Sequence, residues 1–298
     1  MINKLITFWK FSRPHTLVGS FLSVLSLLFL AAEGRMVTLG LFPDVFLTLM
    51  AALSCNIFIT GLNQVCDLPL DRINKPYLPL PAGLLKLKNA RATVVVCLAL
   101  ALICALFEGV YFTVLISSIA TIGVLYSMPP FQLKRKHVLA AAAILVVRGL
   151  LVNLGFFVHY RMLLGLPVEW TAGVWVLTVF VILFSVGIAW FKDIPDTGGD
   201  AQFDISTLAL SVGRKRALQL GAAMVLSAYF LVLLSAIAGL LPEETYFILS
   251  HSLLLLAFVW MLRRVDIESQ ASIRTFYISF WILFFLEYLL FPLAYYLG

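Results

Sequence analysis

An all-α membrane protein with nine spanning helices is the fold the sequence predicts, and three observations predict it. Hydrophobic residues make up 62% of the 298 and charged residues only 12%, with a mean hydropathy of +1.03; soluble domains keep about 25% of their residues charged. Apolar runs recur at close to the ~20 residues that a helix needs to cross the hydrocarbon core. The basic residues gather on one side of those runs.

The runs, taken between charged or Pro/Gly-rich breaks, are 15–32, 43–62, 92–107, 110–127, 138–160, 171–191, 217–240, 245–262 and 275–297. The third and fourth are short, and the break between them at Glu108-Gly109 is the least marked. Lys4 and Lys10 ahead of the first run superficially match a signal peptide. No small-x-small site follows and the basic pattern continues, so this run reads as an uncleaved first helix. With nine spans, the N-terminus and the loops after spans 2, 4, 6 and 8 share a side. That side carries Lys4, Lys10, Arg13, Arg72, Lys75, Lys86, Lys88, Arg91, Lys134, Arg135, Lys136, Lys192, Arg214, Lys215, Arg216, Arg263, Arg264 and Arg274, which is 18 of the 21 Lys and Arg. Arg35 and Arg161 lie opposite, and Arg148 falls inside span 5. The positive-inside rule places the N-terminus in the cytoplasm.

A net charge of +6 therefore suits topology and an anionic leaflet or ligand, and makes no case for nucleic acid. The chain, 1–298, reads as a single polytopic domain in the lipid bilayer, with no soluble domain of useful size outside the helices. Cys55, Cys66, Cys97 and Cys104 form no CxxC pair, which argues against a zinc site or a disulfide framework. His159 and His251 read as satisfied polar groups in or near the spans.

The two longest loops, 63–91 and 192–216, lie on the basic side and carry the polar chemistry. In the first, Asn63, Asp67 and Asp71 are spaced four apart. Each step of four turns a helix by roughly 400°, so the three line one face over about 12 Å if span 2 continues. Pro69 interrupts such a helix, and a bent end with freed carbonyls needs protein or water around it, not lipid. The second loop reads KDIPDTGGD from Lys192 to Asp200. Asp193, Asp196 and Asp200 are spaced three and four apart, Pro195 and Gly198-Gly199 preclude a long regular helix, and Asp204 lies one further turn on. One such cluster is usually a solvated helix end. Two, at equivalent ends of spans 2 and 6 and each broken by proline, call for a ligand.

Carboxylates that face one another repel unless cations sit between them. Mg²⁺ suits the purpose, since it is commonly held by one or two carboxylates together with substrate phosphates. Lys75, Lys134, Arg135 and Lys192 stand ready to neutralise the remaining phosphate oxygens. A diphosphate at the membrane surface with an apolar interior behind it fits an isoprenoid diphosphate. Its ionisation would give an allylic cation that needs a dry site and aromatic faces; Tyr126 is one candidate.

This arrangement resembles the UbiA superfamily of intramembrane prenyltransferases. Within it, FSRPHT (Phe11–Thr16), NQVCDLPLDRINKPYLPL (Asn63–Leu80), YSMPPFQLKR (Tyr126–Arg135), RGLLVNLGFF (Arg148–Phe157) and KDIPDTGGD are similar to the homogentisate prenyltransferase branch. The resemblance covers nearly the whole chain. It implies a nine-helix bundle and transfer of a prenyl group, phytyl first, to homogentisate with loss of CO₂, as in tocopherol and plastoquinone synthesis. It also implies Mg²⁺ as cofactor and an active site facing the cytoplasm or stroma, in a bacterial inner membrane or a plastid-type membrane. By matched position, Asn63, Asp67 and Asp71 would bind one Mg²⁺ set and Asp193, Asp196 and Asp200 the other, with Asp67, Asp71, Asp193 and Asp196 catalytic. Lys134 and Arg135 would contact the diphosphate, and Arg13 either the diphosphate or the acceptor; Asn63, Lys75 and Lys192 are further substrate-binding candidates from their place beside the aspartates. Pro81-Ala82-Gly83 and Cys66 depart from the branch pattern, touch none of the aspartates, and leave the donor's chain length open.

Arg148 lies about ten residues into span 5, and an intramembrane arginine is a functional candidate by default. It could receive the homogentisate carboxylate, or pair structurally with a helix carbonyl or Glu287 of span 9. Asn153 is five residues on, about 140° round an α-helix, and is expected on another stripe. Two other readings remain open: a UbiA enzyme with another acceptor (chlorophyllide, naphthoate or hydroxybenzoate), and a transporter. Against the transporter, its sites tend to lie at the bilayer midplane, where this sequence is nearly uncharged.

Overall fold

The computed structural model describes residues 2–297 apart from Asp204; of Ile2, Gly198 and Gly199 it describes the backbone only. Among the described residues nine helices are long and apolar enough to cross a membrane: Pro14–Ala32, Leu39–Cys66, Leu87–Phe107, Val110–Ser127, His137–Leu163, Ala172–Phe191, Arg214–Ile237, Glu244–Arg264 and Gln270–Tyr296. These are spans 1 to 9, and each coincides with an expected apolar run. The least marked break is real. Gly109 turns the chain between spans 3 and 4 with φ +99°, a conformation that a side chain would strain.

The residues group into two compact units, 1–21, 38–143 and 198–205 in one, and 22–37, 144–197 and 206–298 in the other. In the first unit, spans 2, 3 and 4 pack on one another. An N-terminal helix, Ile2–Phe11, precedes span 1, and the sequence reading left it out. It exposes Leu5, Ile6, Phe8 and Trp9 beside Lys4 and Lys10, the character of a helix lying in the membrane interface. Its last residue anchors it. The Phe11 ring is fully buried against Gly61, where a Cβ would come within 3.0 Å of it. One turn on, Gln64 Nε2 donates to the Phe11 carbonyl at 2.7 Å.

In the second unit an aromatic core joins spans 6, 7 and 9. Phe184 stacks on Phe280 with centroids 4.3 Å apart and meets Tyr229 edge-on at 6.3 Å. Gly187 makes the close approach of spans 6 and 7, since a Cβ there would lie 2.7 Å from Val225. Arg161 and Glu287, both in this apolar setting, have partners. Arg161 donates to the carbonyls of Ala31 (3.1 Å) and Pro167 (2.8 Å) and bridges Glu33 at 3.0 Å. His251 Nε2 lies 3.3 Å from Glu287 Oε1, with both side chains fully buried.

Span 5 departs from expectation. Between α-helical ends at His137–Ile144 and Phe156–Leu163, residues Leu145–Gly155 form a π-helix. A π-helix bonds residue i to i+5, so residues five apart come roughly beneath one another. Arg148 and Asn153 therefore share a face, contrary to the α-helical expectation. Both meet span 9. The Arg148 guanidinium lies 4.9 Å from the Trp281 ring centroid and 5.2 Å from that of Phe284. The Tyr288 hydroxyl donates to Asn153 Oδ1 at 2.8 Å. Glu287, a proposed partner of Arg148, takes His251 instead.

At the end of span 3, burial raises the Glu108 carboxyl from its ordinary 4.5 to about 7, with Asp44 adding to the rise and Thr48 opposing it. The folded chain then holds more protons than the unfolded one between these two values. Stability should fall as pH rises through that window and level off above pH 7. Unfolding midpoints in detergent at pH 5 and pH 8 should differ less for Glu108→Gln than for the unsubstituted chain; equal pH dependence would refute the assignment.

Candidate active site

Span 2 continues beyond its apolar run to Cys66, and Asp67 (φ −94°, ψ 11°) then joins it to a short helix, Leu68–Asn74. Pro69 sits in the first turn of that helix, where a missing N–H has no intrahelical partner to lose. The four-residue step survives the break. Asp67 N–H donates to Asn63 C=O at 2.9 Å, Asp71 to Asp67 at 2.7 Å and Lys75 to Asp71 at 2.8 Å. The expected alignment of Asn63, Asp67 and Asp71 is thus built by the backbone, with Lys75 added to the series.

The side chains alternate carboxylate and cation. Asn63 Nδ2 donates to Asp67 Oδ2 at 3.0 Å, and the Lys134 ammonium donates to Asp67 Oδ1. Asp71, almost fully buried, has Arg13 Nη2 and Lys75 Nζ at 4.0 Å, one beside each carboxylate oxygen. Arg13 reaches it because the Phe11 anchor holds the N-terminal helix on span 2. Lys134 is delivered by a 3₁₀ turn, Leu133–Arg135, after the left-handed Gln132 at φ +39°. Tyr126, half-buried, is the penultimate residue of span 4.

Arg135 follows Lys134 in the same turn. Its Nη2 donates to the Phe203 carbonyl at 2.8 Å and its Nη1 to Gln132 Oε1 at 3.3 Å. Asp200 belongs to this first unit, where Asn74 Nδ2 donates to its Oδ1 at 3.1 Å. Of the other second-loop positions, Asp193 and Asp196 belong to the second unit. They lie in the turn after span 6, with Asp196 N–H donating to the Asp193 carbonyl at 3.2 Å and Lys192 3.9 Å from Asp193. Arg148 is in that unit too. Asp204 lies outside the described residues.

The donor set tests the expected metal. Asn63, Asp67, Asp71 and Asp200 offer hard oxygen atoms, as Mg²⁺ prefers. Among the described residues no three His, Cys, Asp or Glu converge on a single point that could hold an ion. Sequence reading missed Gln64 and Asn74. Gln64 lay beside Asn63 in the quoted motif, and its partner is 53 residues away. Asn74 lay within the quoted NKPYLPL stretch, and only its partner, 126 residues away, identifies its part.

The model of the UbiA prenyltransferase family matches residues 20–286. A homogentisate phytyltransferase from Synechocystis sp. is 43% identical over 294 residues, covering 96% of this chain and 94% of that protein. A chloroplastic homogentisate solanesyltransferase from Arabidopsis thaliana is 36% identical, covering 95% and 75%. The solved structure of a UbiA homolog from Archaeoglobus fulgidus bound to GPP and Mg²⁺ matches with a TM-score of 0.66 at 17% identity, over 97% of this chain and 99% of that one. The last likeness bears on the fold.

The Lys134–Asp67 contact is a charge-assisted hydrogen bond between two largely buried groups, so the two residues should couple energetically. A double-mutant cycle of Lys134→Met and Asp67→Asn on unfolding should return a coupling of about 2 kcal/mol. Additive effects would show that the pair contributes nothing to the fold.

Proposed function

The chain belongs to the UbiA prenyltransferase family, and from that premise we propose that it transfers a prenyl group, phytyl first, from prenyl diphosphate to homogentisate with loss of CO₂. The observation that carries the reading is the end of span 2, where Asp67 and Asp71 stand interleaved with Lys134, Lys75 and Arg13. Carboxylates alone would repel a diphosphate; carboxylates among cations can take one together with its metal. The acceptor rests on the full-length relatives that act on homogentisate. Phytyl is placed first because the relative that bears its name is the more similar of the two compared.

Asn63, Asp67, Asp71, Asp193, Asp196 and Asp200 supply oxygen ligands for Mg²⁺, which when bound would stabilise the departing diphosphate. Lys134, Lys75, Lys192, Arg13 and Arg135 provide positive charge for its oxygens. The C1–O bond breaks with its electron pair leaving on the diphosphate. A ring carbon of the acceptor gives a pair to C1 and loses its proton. The acetate side chain releases CO₂, and its methylene takes up a proton. Tyr126 offers an aromatic face to the cation. Arg148, positioned over Trp281 and Phe284, receives the acceptor's carboxylate. The relatives' cyanobacterial and chloroplastic origins favour a photosynthetic-type membrane, with the site on the cytoplasmic or stromal side.

Membranes supplied with labelled homogentisate and phytyl, geranylgeranyl or solanesyl diphosphate should form a decarboxylated product, most with phytyl. The product should vanish with EDTA and fall about 100-fold or more in Asp67→Ala. Prenylation of a hydroxybenzoate or naphthoate but not of homogentisate would replace the acceptor. Uptake without turnover would favour a transporter. For Arg148→Gln, the apparent KM for homogentisate should rise about 10-fold, as for a lost charge-assisted bond, with the donor KM unchanged. An unchanged acceptor KM would remove Arg148 from the acceptor site.

A further inference from the structure

The segment 198–205, which carries Asp200, belongs to the first unit. Two hydrogen bonds tie that segment down. Asn74, half-buried in the last turn of the short helix Leu68–Asn74, donates from Nδ2 to Asp200 Oδ1 at 3.1 Å. Arg135 donates from Nη2 to the Phe203 carbonyl at 2.8 Å. Between the two ties the chain is turned on itself, since the Asp200 carbonyl accepts from Phe203 N–H at 3.3 Å and from Ile205 N–H at 3.0 Å. Each donor stands next to a residue of the first motif or of its partners. Asn74 is three residues past Asp71, hence on nearly the same helix face, and Arg135 follows Lys134, which holds Asp67.

The chemistry of the tie is informative. Arg13, Lys75 and Lys134 stand beside Asp71 and Asp67 as cations. Asn74 is a neutral amide, which orients a carboxylate oxygen without cancelling charge. Outer donors of this type fix the direction of metal-binding groups and tune their affinity. We infer that Asn74 is a positioning residue: its amide ties Asp200 to the end of span 2 and fixes the direction of that carboxylate for the ion. This assignment rests on the Mg²⁺ reading above.

The test uses the full chain in lipid nanodiscs, with Mn²⁺ binding followed by EPR, phytyl diphosphate present and homogentisate omitted, so that no turnover enters the readout. Asn74→Leu keeps the side chain's shape and removes its donor; Asn74→Ala truncates it. Each should raise the Mn²⁺ concentration for half-saturation about 10-fold, with the unfolding midpoint near that of the unsubstituted chain. Asn74→Ala combined with Asp200→Asn should bind Mn²⁺ no worse than Asp200→Asn alone. Unchanged binding in both Asn74 variants, or full additivity with Asp200→Asn, while Asp67→Asn weakens binding, would make the tie a fold contact and overturn the inference with the metal reading intact. Unchanged binding in Asp67→Asn would remove the metal reading itself, and the inference with it.

Discussion

Charge is costly beside hydrocarbon, and this protein depends on how that cost is met at the end of span 2. An isolated carboxylate there would be penalised by lost hydration. Asp67 is held between an amide and the Lys134 ammonium, and Asp71 lies between Arg13 and Lys75. Those cations come from three separate stretches of chain. The N-terminal helix must dock through Phe11 for Arg13 to arrive, and the loop after span 4 must turn at Gln132 for Lys134 to arrive. Small groups make this geometry available, above all Gly61, whose missing side chain is the seat of the Phe11 ring.

The same constraint operates in the second unit with different means. Arg161 is satisfied by two carbonyls and Glu33, His251 pairs with Glu287, and Asn153 Oδ1 accepts from Tyr288. Arg148 is treated otherwise, lying over two aromatic rings of span 9. A guanidinium is weakly hydrated and tolerates an aromatic face, which shelters Arg148. The wider winding of the π-helical stretch puts Arg148 and Asn153 on one side of span 5, and such stretches recur at functional sites.

How much was legible differed from element to element. The nine spans were, because length and hydropathy alone decide whether a helix can cross a bilayer. The faint break at Glu108-Gly109 was legible because glycine is the residue that accepts φ +99°. The alignment of Asn63, Asp67 and Asp71 was legible because a step of four is a property of the helix itself. The N-terminal helix was hidden by its brevity, and the part of Gln64 by the 53 residues that separate it from Phe11. The π-helix was hidden because its hydrogen-bond step leaves no composition signal, and the wrong period put Asn153 on the wrong face.

By itself the sequence determined what local physics settles: apolar length, the side on which the basic residues collect, the four-residue step of the aspartates, and the motifs that place the chain in its family. Only the tertiary structure decided which groups meet: Lys134 with Asp67, Arg135 with the Phe203 carbonyl, and Asn74 with Asp200 across 126 residues of chain. The division has a physical reason. Periodicity and transfer energy act between neighbours and can be read along the chain. A hydrogen bond between distant side chains depends on the packing of whole helices, and one close approach at a glycine can redirect it.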